Sequence, residues 1–212
     1  MSWPRKEDIT QGVIDMLRVN MNMKGSDRLL VISDAPRLVD WRITDELELT
    51  EALERVLLGR FMCEIVQDQF PEAAVKFHPF QATGGHGTEP DGDTAEKMLN
   101  TDVLLCLTRY SLSHTNAREA ATSKGVRVAS MPGFTHEMLA PGGPMAVDYK
   151  QIAVDCQRFA DLLTQADEVE IRTPQGTDLR LRLKDRLGEP DNGLYGEAQG
   201  AWGNLPAGEA YV

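Results

Sequence analysis

Leu29-Leu30-Val31-Ile32-Ser33-Asp34 is the stretch that decides the fold of this 212-residue chain. It is a short, continuous apolar run that ends in polar residues. Strands that are buried on both faces of a parallel sheet have this pattern. The run therefore predicts a buried parallel strand.

The segments on either side of this run alternate between helices and further apolar strands. Helical spacing predicts helices over residues 7–23 and 45–68, and the second has Leu53 and Leu57 in its apolar stripe. The other predicted strands are 73–77, 102–107 and 126–131, and the other predicted helices are 94–99, 115–124 and 149–165. This alternation implies right-handed crossovers. We expect an α/β fold with an open, mainly parallel sheet flanked by helices.

The pattern changes after residue 165. Residues 168–173 and 178–183 alternate polar and apolar side chains, and Pro174-Gln175-Gly176-Thr177 between them has the composition of a turn. This predicts a β-hairpin with one wet face. We therefore expect an α/β N-terminal domain over residues 1–165. Residues 166–212 would begin a second, antiparallel β-containing domain that the chain leaves unfinished.

Composition limits the classes of partner. The net charge of −11 argues against nucleic acid or an anionic membrane, because both bind basic surfaces. Three widely spaced cysteines, with no C-x-x-C pair, are typical of reduced thiols in a cytosolic protein. The start resembles no signal peptide, and no apolar run approaches the ~18 residues of a membrane helix. We expect a cytoplasmic protein with no nucleic-acid or membrane partner.

Two upstream segments contain residues that could carry chemistry. The first, His78 to Asp93, mixes histidines and carboxylates in a glycine-rich stretch, so it is either a solvated loop or a metal site. The second, Ser111-Leu112-Ser113-His114-Thr115, lies between a predicted strand and a predicted helix, at the sheet edge where ligands bind. Ser113 or Thr115 would cap the helix, while Ser111 and His114 are candidates for a substrate or interface role. The sequence lacks the G-x-S-x-G pattern that is typical of a nucleophilic serine, so no catalytic residue is assigned.

The last candidate is Asn204-Leu205-Pro206-Ala207-Gly208-Glu209. It has the composition of a turn, as does Asn192-Gly193. A glutamate held after such a bend could also ligate a metal, but a catalytic zinc site takes about three protein ligands. No glycine-rich phosphate loop follows the first strand, so no nucleotide site is predicted.

These residues carry a likeness to a known family. Residues 191–193 and 203–211 resemble the metal-dependent aminopeptidase T (thermophilic metalloprotease) family, most closely its leucyl-aminopeptidase-like members. Residues 87–90, 111–115, 125–133 and 176–179 agree with that likeness, which runs across nearly the whole chain and is most specific at residues 203–209.

The resemblance implies a function and a cofactor. The glutamate of the family's N-L-P-x-G-E motif, which corresponds to Glu209, ligates a two-metal site of the zinc, cobalt or manganese type. The remaining ligands lie in a later domain with no counterpart here. The resemblance therefore implies the N-terminal portion of a homodimeric aminopeptidase, inactive alone, that removes N-terminal residues from peptide substrates by metal-activated water. Two alternatives stay open: a non-haem iron ring-cleaving dioxygenase of the dihydroxypyridine type, and a non-catalytic binding or assembly module.

Overall fold

The computed structural model describes residues 3–212 and contains an all-parallel five-stranded sheet with flanking helices, which confirms the α/β fold class. The strands in chain order are β1 (Arg28–Ala35), β2 (Ala74–Gln81), β3 (Val103–Leu107), β4 (Arg127–Ser130), β5 (Glu168–Arg172), β6 (Asp178–Arg182), β7 (Glu189–Asp191), β8 (Trp202–Asn204) and β9 (Glu209–Tyr211). The helices are α1 (Lys6–Asp15), which continues as a π-helical turn (Met16–Asn20), α2 (Asp40–Ile43), α3 (Glu46–Gln69), α4 (Gly92–Met98), α5 (Asn116–Ser123) and α6 (Tyr149–Gln165).

Strand β1 lies inside the parallel sheet, which has the order β2-β1-β3-β4-β8. Every side chain from Leu29 to Asp34 is buried, and so is every residue of β3. Burying each Val, Leu or Ile contributes about 1.5–3 kcal/mol relative to leaving it exposed. The apolar run of β1 therefore holds the sheet together, as its sequence predicts.

Helices cover both faces of β1. Leu30 and Ile32 belong to a buried cluster that includes Met98 of α4 and Ala121 of α5. On the other face, α3 approaches the sheet at Gly59, where an added Cβ would lie 2.7 Å from the ring of Phe77. Only a residue without a side chain allows the helix so close to the strands.

The buried face of α3 differs from the predicted one. Leu53 and Leu57 are 38% and 56% exposed, whereas Arg55 is only 6% exposed. The buried stripe includes Ala52, Arg55, Gly59 and Met62. Apolar residues occur around most of this helix, and the buried face is the one that carries Leu58 and the close contact at Gly59. The predicted stripe was wrong at Leu53 and Leu57.

Strand β8 has no counterpart in the sequence-based prediction. It pairs parallel to β4 and aligns Trp202 with Val128 and Asn204 with Ser130. The backbone N–H of Leu205 then donates to the carbonyl of Ser130 at 3.0 Å. The segment Asn204-Leu205-Pro206 thus begins at the carboxyl edge of the parallel sheet, and its Leu205–Pro206 peptide bond is cis.

The strand order places a switch point between β1 and β3. The chain leaves β1 for β2 on one side, while β3 and β4 extend the sheet on the other. In open parallel sheets ligands bind at the carboxyl ends of the strands beside such a point. Asp34 near the end of β1 and Thr108 directly after β3 lie at this position.

Contacts divide the described chain into two compact units. The parallel-sheet unit comprises the described residues up to Val147 together with Leu194–Pro206, and the ribbon unit comprises Asp148–Gly193 with Ala207–Val212. This grouping places α6 with the β-hairpin. The division into domains at 1–165 and 166–212 remains a prediction about the protein's organisation.

The ribbon unit contains α6 and two small antiparallel sheets, β5-β6 and β7-β9. The predicted hairpin is confirmed: β5 and β6 pair from Glu168↔Arg182 to Arg172↔Asp178, and Gly176 in the turn has a φ of 104°. The hairpin was expected to have one wet face. Instead three of its apolar residues are also exposed, since Ile171, Leu179 and Leu181 are 40–45% accessible.

Among residues 3–212, no helix is sufficiently long and apolar to cross a membrane.

Candidate functional site

Glu209 lies on β9 of the two-stranded β7-β9 ribbon. It is exposed, and it pairs in register with Asp191 of β7. Residues directly opposite each other in an antiparallel pair place their Cβ atoms ~4.5–5.5 Å apart on the same face. The ribbon therefore brings two carboxylates side by side.

The bend before Glu209 is held by hydrogen bonds inside the ribbon unit. The backbone N–H of Ala207 donates to the phenol oxygen of Tyr149 at 3.4 Å, and the N–H of Gly208 donates to the carbonyl of Asp191 at 3.1 Å. Gly208 has a φ of 137°, which favours glycine. These contacts fix the backbone on which the Glu209 carboxylate is carried.

The negative charge around Glu209 affects its neighbours. Burial, followed by Asp191, Asp155 and Glu209, raises the pKa of the Cys156 thiol. The pKa of the Tyr211 phenol is also raised, first by burial and then by Glu189, Asp191 and Glu209. Like charges opposite each other destabilise a strand pair. A divalent cation bound between Asp191 and Glu209 would relieve that repulsion.

The residues present fit part of a metal site. Carboxylate oxygens suit divalent cations, but a catalytic zinc takes about three protein ligands and a water. Across residues 3–212, no group of three or more His, Cys, Asp or Glu side chains is arranged to hold a metal ion. Within this chain, the Asp191–Glu209 pair is the candidate ligand set, and it supplies two carboxylates.

The structure assigns capping and hydrogen-bonding roles to several residues of the predicted loop from His78 to Asp93. Asp91 caps α4 through the N–H of Thr94 at 2.9 Å, and Glu89 accepts the N–H groups of Asn116 and Ala117 at the start of α5. His78 Nε2 contacts the hydroxyl of Thr94 at 2.9 Å. A carboxylate at a helix N-terminus is stabilised by the unpaired amides there.

The segment from Ser111 to Thr115 lies at the carboxyl edge of the sheet. Thr115 is the N-cap of α5 and accepts the N–H of Arg118, which confirms the capping prediction for that residue. Hydroxyl groups form a chain from Ser111 through Ser113 to Ser130, with Oγ–Oγ distances of 3.0 and 2.8 Å. The side chain of His114 is exposed and meets the Trp202 ring edge-on at 6.3 Å.

A nucleophile needs a base within hydrogen-bond reach. His86 Nδ1 accepts the backbone N–H of Ser111 at 3.0 Å, so this ring is bound to the main chain and not to the hydroxyl. His114 contacts Trp202 instead of a serine. The geometry places Ser111 and His114 at one sheet edge, and their substrate or interface role stays a prediction.

The switch point contains polar residues that the sequence-based analysis did not single out. Asp34 is 2% exposed, and its carboxylate accepts the N–H groups of Arg109 and Tyr110 at 2.6 and 3.3 Å. Burial raises the pKa of this carboxyl, against the effect of these hydrogen bonds and of Arg55. The only sequence signal was the polar ending of the first strand.

Comparison with known proteins gives no relative for this chain: no family model, no curated protein and no solved structure matches it. The resemblance to the aminopeptidase T family therefore stays a prediction from the sequence.

Proposed function

We propose that this chain is part of a metal-dependent aminopeptidase of the aminopeptidase T type, and that Glu209 is one of its metal ligands. The observation that carries the proposal is the register of the β7-β9 ribbon, which sets Glu209 directly opposite Asp191. The resemblance implies a metal ligand at Glu209 alone, at the end of the N-L-P-A-G-E segment. The strand register adds Asp191 as a second candidate ligand.

In the proposed reaction, the residues of this chain hold the metal and orient its carboxylate ligands. Glu209 and Asp191 bind a divalent cation of the zinc, cobalt or manganese type, and the bend at Ala207 and Gly208 keeps the carboxylate of Glu209 in place. When bound, such a cation supplies a Lewis acid and lowers the pKa of its water. The substrate is a peptide with a free amino terminus, and the protein acts as a cytoplasmic homodimer.

The first test measures metal binding by titration calorimetry of the 212-residue chain with Zn²⁺, Co²⁺ and Mn²⁺. Glu209→Gln keeps the shape of the side chain but removes its charge, and loss of one ligand should weaken binding by at least ~10-fold. The matched control is Glu72→Gln, which changes an exposed glutamate outside the ribbon unit. Equal affinities for the two variants would overturn the assignment of Glu209.

The second test measures activity. The protein is isolated from its own host through a tag at its amino terminus. Any further polypeptide that supplies the remaining metal ligands is then purified together with it. We expect release of arylamine from leucine arylamide, loss of release after chelation, and no release from the N-acetylated substrate. Consumption of dihydroxypyridine and oxygen without arylamine release would replace the peptidase by the dioxygenase. If the protein bound a partner without metal and catalysed neither reaction, the interpretation as a non-catalytic binding or assembly module would be favoured.

A further inference from the structure

Strand β2 forms an outer edge of the parallel sheet. It pairs with β1 along its full length, from Ala74 to Gln81, and no other strand among residues 3–212 pairs with it. The free edge of a sheet presents a row of N–H and C=O groups with which another extended chain can pair. This edge is therefore a candidate surface for binding a further polypeptide.

The hydrogen bonds at the two ends of β2 show which of its peptide groups face outward. The N–H of Ala74 donates to the carbonyl of Asp27 at 3.2 Å, and the N–H of Ala82 donates to the carbonyl of Ala35 at 2.9 Å. Both donors belong to even-numbered residues, and successive residues of a strand direct their peptide groups to opposite sides. The odd-numbered residues of β2 therefore direct their peptide groups away from β1.

Three of these odd-numbered residues are Val75, Phe77 and Pro79. An edge strand tolerates a proline where the missing N–H would face outward, as at Pro79. Val75 and Phe77 keep their donors, and within residues 3–212 neither N–H has an acceptor. Two outward N–H groups, with the carbonyls of the same residues, match the backbone of an added strand.

A groove lies beside β2 and is bordered on its other side by α4. Its volume is about 550 Å³, within the range of ~300–1,000 Å³ that is usual for ligand sites. Lys76 and His78 line it from β2, and as alternate residues they point to the same face of the sheet. Asp93 and Lys97 line it from one face of α4. An added strand would place every second side chain in this groove.

Lys76 supplies the charge that selects the side chain opposite it. The lysine is exposed and has no ion pair within residues 3–212, whereas Lys97 pairs with Asp93 and Arg28 with Asp102. Opposite charges that face each other across a strand pair stabilise it, and like charges destabilise it. An acidic side chain is therefore favoured at the position opposite Lys76.

His78 offers a hydrogen-bond acceptor next to Lys76 in the groove. The hydroxyl of Thr94 donates its single hydrogen to Asp91 at 3.0 Å, so His78 Nε2, at 2.9 Å, donates to that hydroxyl. Burial, followed by the charge of Lys97, lowers the pKa of His78 and favours the neutral ring. Nδ1 is then an acceptor, and a hydroxyl side chain on the added strand suits it.

The opposite face of β2 favours apolar partners. Val75 and Phe77 are partly buried, and their side chains point away from the groove. Apolar residues that face each other across a strand pair stabilise a sheet. The matching strand therefore alternates apolar and polar side chains, with the acidic one between two apolar residues.

A second copy of β2 matches this edge less well. Antiparallel pairing of two copies would place both Lys76 side chains on one face of the joined sheet, where like charges repel. Each copy would also bring Pro79 in place of one donor. The edge is therefore better suited to a strand from a different polypeptide.

We propose that the edge of β2 and the groove beside α4 bind an extended peptide segment of another protein, with alternating apolar and polar side chains and an acidic residue opposite Lys76. The segment pairs antiparallel to β2, because antiparallel pairs are slightly more stable per residue. The inference goes beyond the proposed function and depends on neither Glu209 nor a metal.

Nuclear magnetic resonance of the full chain tests the pairing with the peptide Thr-Val-Glu-Val-Thr, which reads the same in both directions. Its acetylated amino terminus and amidated carboxyl terminus prevent it from acting as an aminopeptidase substrate, so the result is independent of the proposed function. We expect saturable binding that slows hydrogen exchange of the Val75 and Phe77 amides at least ~10-fold. The amides of Lys76 and His78 already bond to β1 and should change little.

Three results would overturn the proposal. The first is absence of saturable binding. The second is equal slowing of exchange at odd-numbered and even-numbered residues of β2. The third is protection of Val75 and Phe77 without peptide in a chain that sediments as a dimer, which would make a second copy the occupant.

Charge reversal tests the position of the acidic residue. The capped peptide Thr-Val-Lys-Val-Thr should bind the wild type at least ~3-fold more weakly than the glutamate peptide, and Lys76→Glu should reverse this preference. The control Lys124→Glu changes an exposed lysine of the same unit and should leave the preference unchanged. Equal affinities of the two peptides for the wild type would refute the role of Lys76, and so would a preference that survives Lys76→Glu.

Discussion

The parallel-sheet unit and the ribbon unit bury their apolar side chains to very different extents. In the first, β3 is buried at every position; in the second, β6 is exposed at every position. On α6 the large apolar side chains Val154, Phe159 and Leu162 are 52–61% exposed. The first unit therefore has its own core, while the second presents apolar surface that is available for further contacts.

The difference bears on the proposed metal site. Arg55 and its buried neighbours belong to the unit with a packed core, so their positions are fixed by that packing. The Asp191–Glu209 pair belongs to a ribbon of two three-residue strands with little core of its own. We infer that metal binding and self-association would stabilise the ribbon unit more than the parallel-sheet unit.

The largest difference in the free energy of unfolding is expected between variants of two arginines that each bind a carboxylate. Arg127 contacts Asp27 at 2.5 Å and the carbonyls of Met21 and Asn22, and its side chain is 13% exposed. Arg127→Met should lower the free energy of unfolding by at most about 3–5 kcal/mol, because the largely covered carboxylate of Asp27, 15% exposed, loses its partner. Arg180 of the ribbon unit binds Glu170 at 2.7 Å but is 61% exposed, so Arg180→Met should cost at most ~1 kcal/mol.

Urea unfolding followed by far-UV circular dichroism measures both changes. Wild type and the two variants are compared at the same pH and ionic strength, because exposed ion pairs weaken with salt. If Arg180→Met destabilised the protein as much as Arg127→Met, the two units would not differ in the way that their burial indicates.

A smaller but more direct comparison uses two leucines. Leu105 in β3 is fully buried, whereas Leu181 in β6 is 40% exposed. Leu105→Ala should lower the free energy of unfolding by about 2–5 kcal/mol through lost burial and a cavity. Leu181→Ala should change it by less than ~1 kcal/mol. Similar effects would mean that the hairpin is covered in solution, which sedimentation would then reveal as a dimer.

The parts of this fold that could be predicted are those with a local signal. The run from Leu29 to Asp34 predicts a buried strand because continuous apolar residues suit a sheet covered on both faces. Strand β8 carries no such run. Trp202 to Asn204 becomes a strand because β4 offers it an edge and because Gly203 lies against the Tyr195 ring, where a Cβ would come within 2.5 Å.

The candidate sites show the same limit. Glu209 was identified from its motif, but the pairing with Asp191 depends on the register of two strands separated by the 17 residues 192–208. Arg55 was missed because arginine is mostly exposed in proteins and because leucines around it offered another buried face. Arg55 lies on the same buried face as Ala52, Gly59 and Met62, which the packing of α3 on the sheet selects.

The finest test of the comparison is the reactivity of two buried cysteines. Burial raises the pKa of Cys106 in the parallel-sheet unit to about 12, and the pKa of Cys156 in the ribbon unit is also raised. Both thiols are nearly inaccessible, at 1% and 6% exposure, so labelling at pH 8 requires opening of the structure. Local opening is easier where few apolar contacts hold a segment.

We expect Cys156 to be labelled at least ~10-fold faster than Cys106, measured by mass spectrometry of the peptides, and Cys156→Ser to remove the fast phase. Equal rates with equal urea dependence would show that the two units unfold together, and the ribbon would then hold a metal ligand as rigidly as the parallel sheet holds its own side chains.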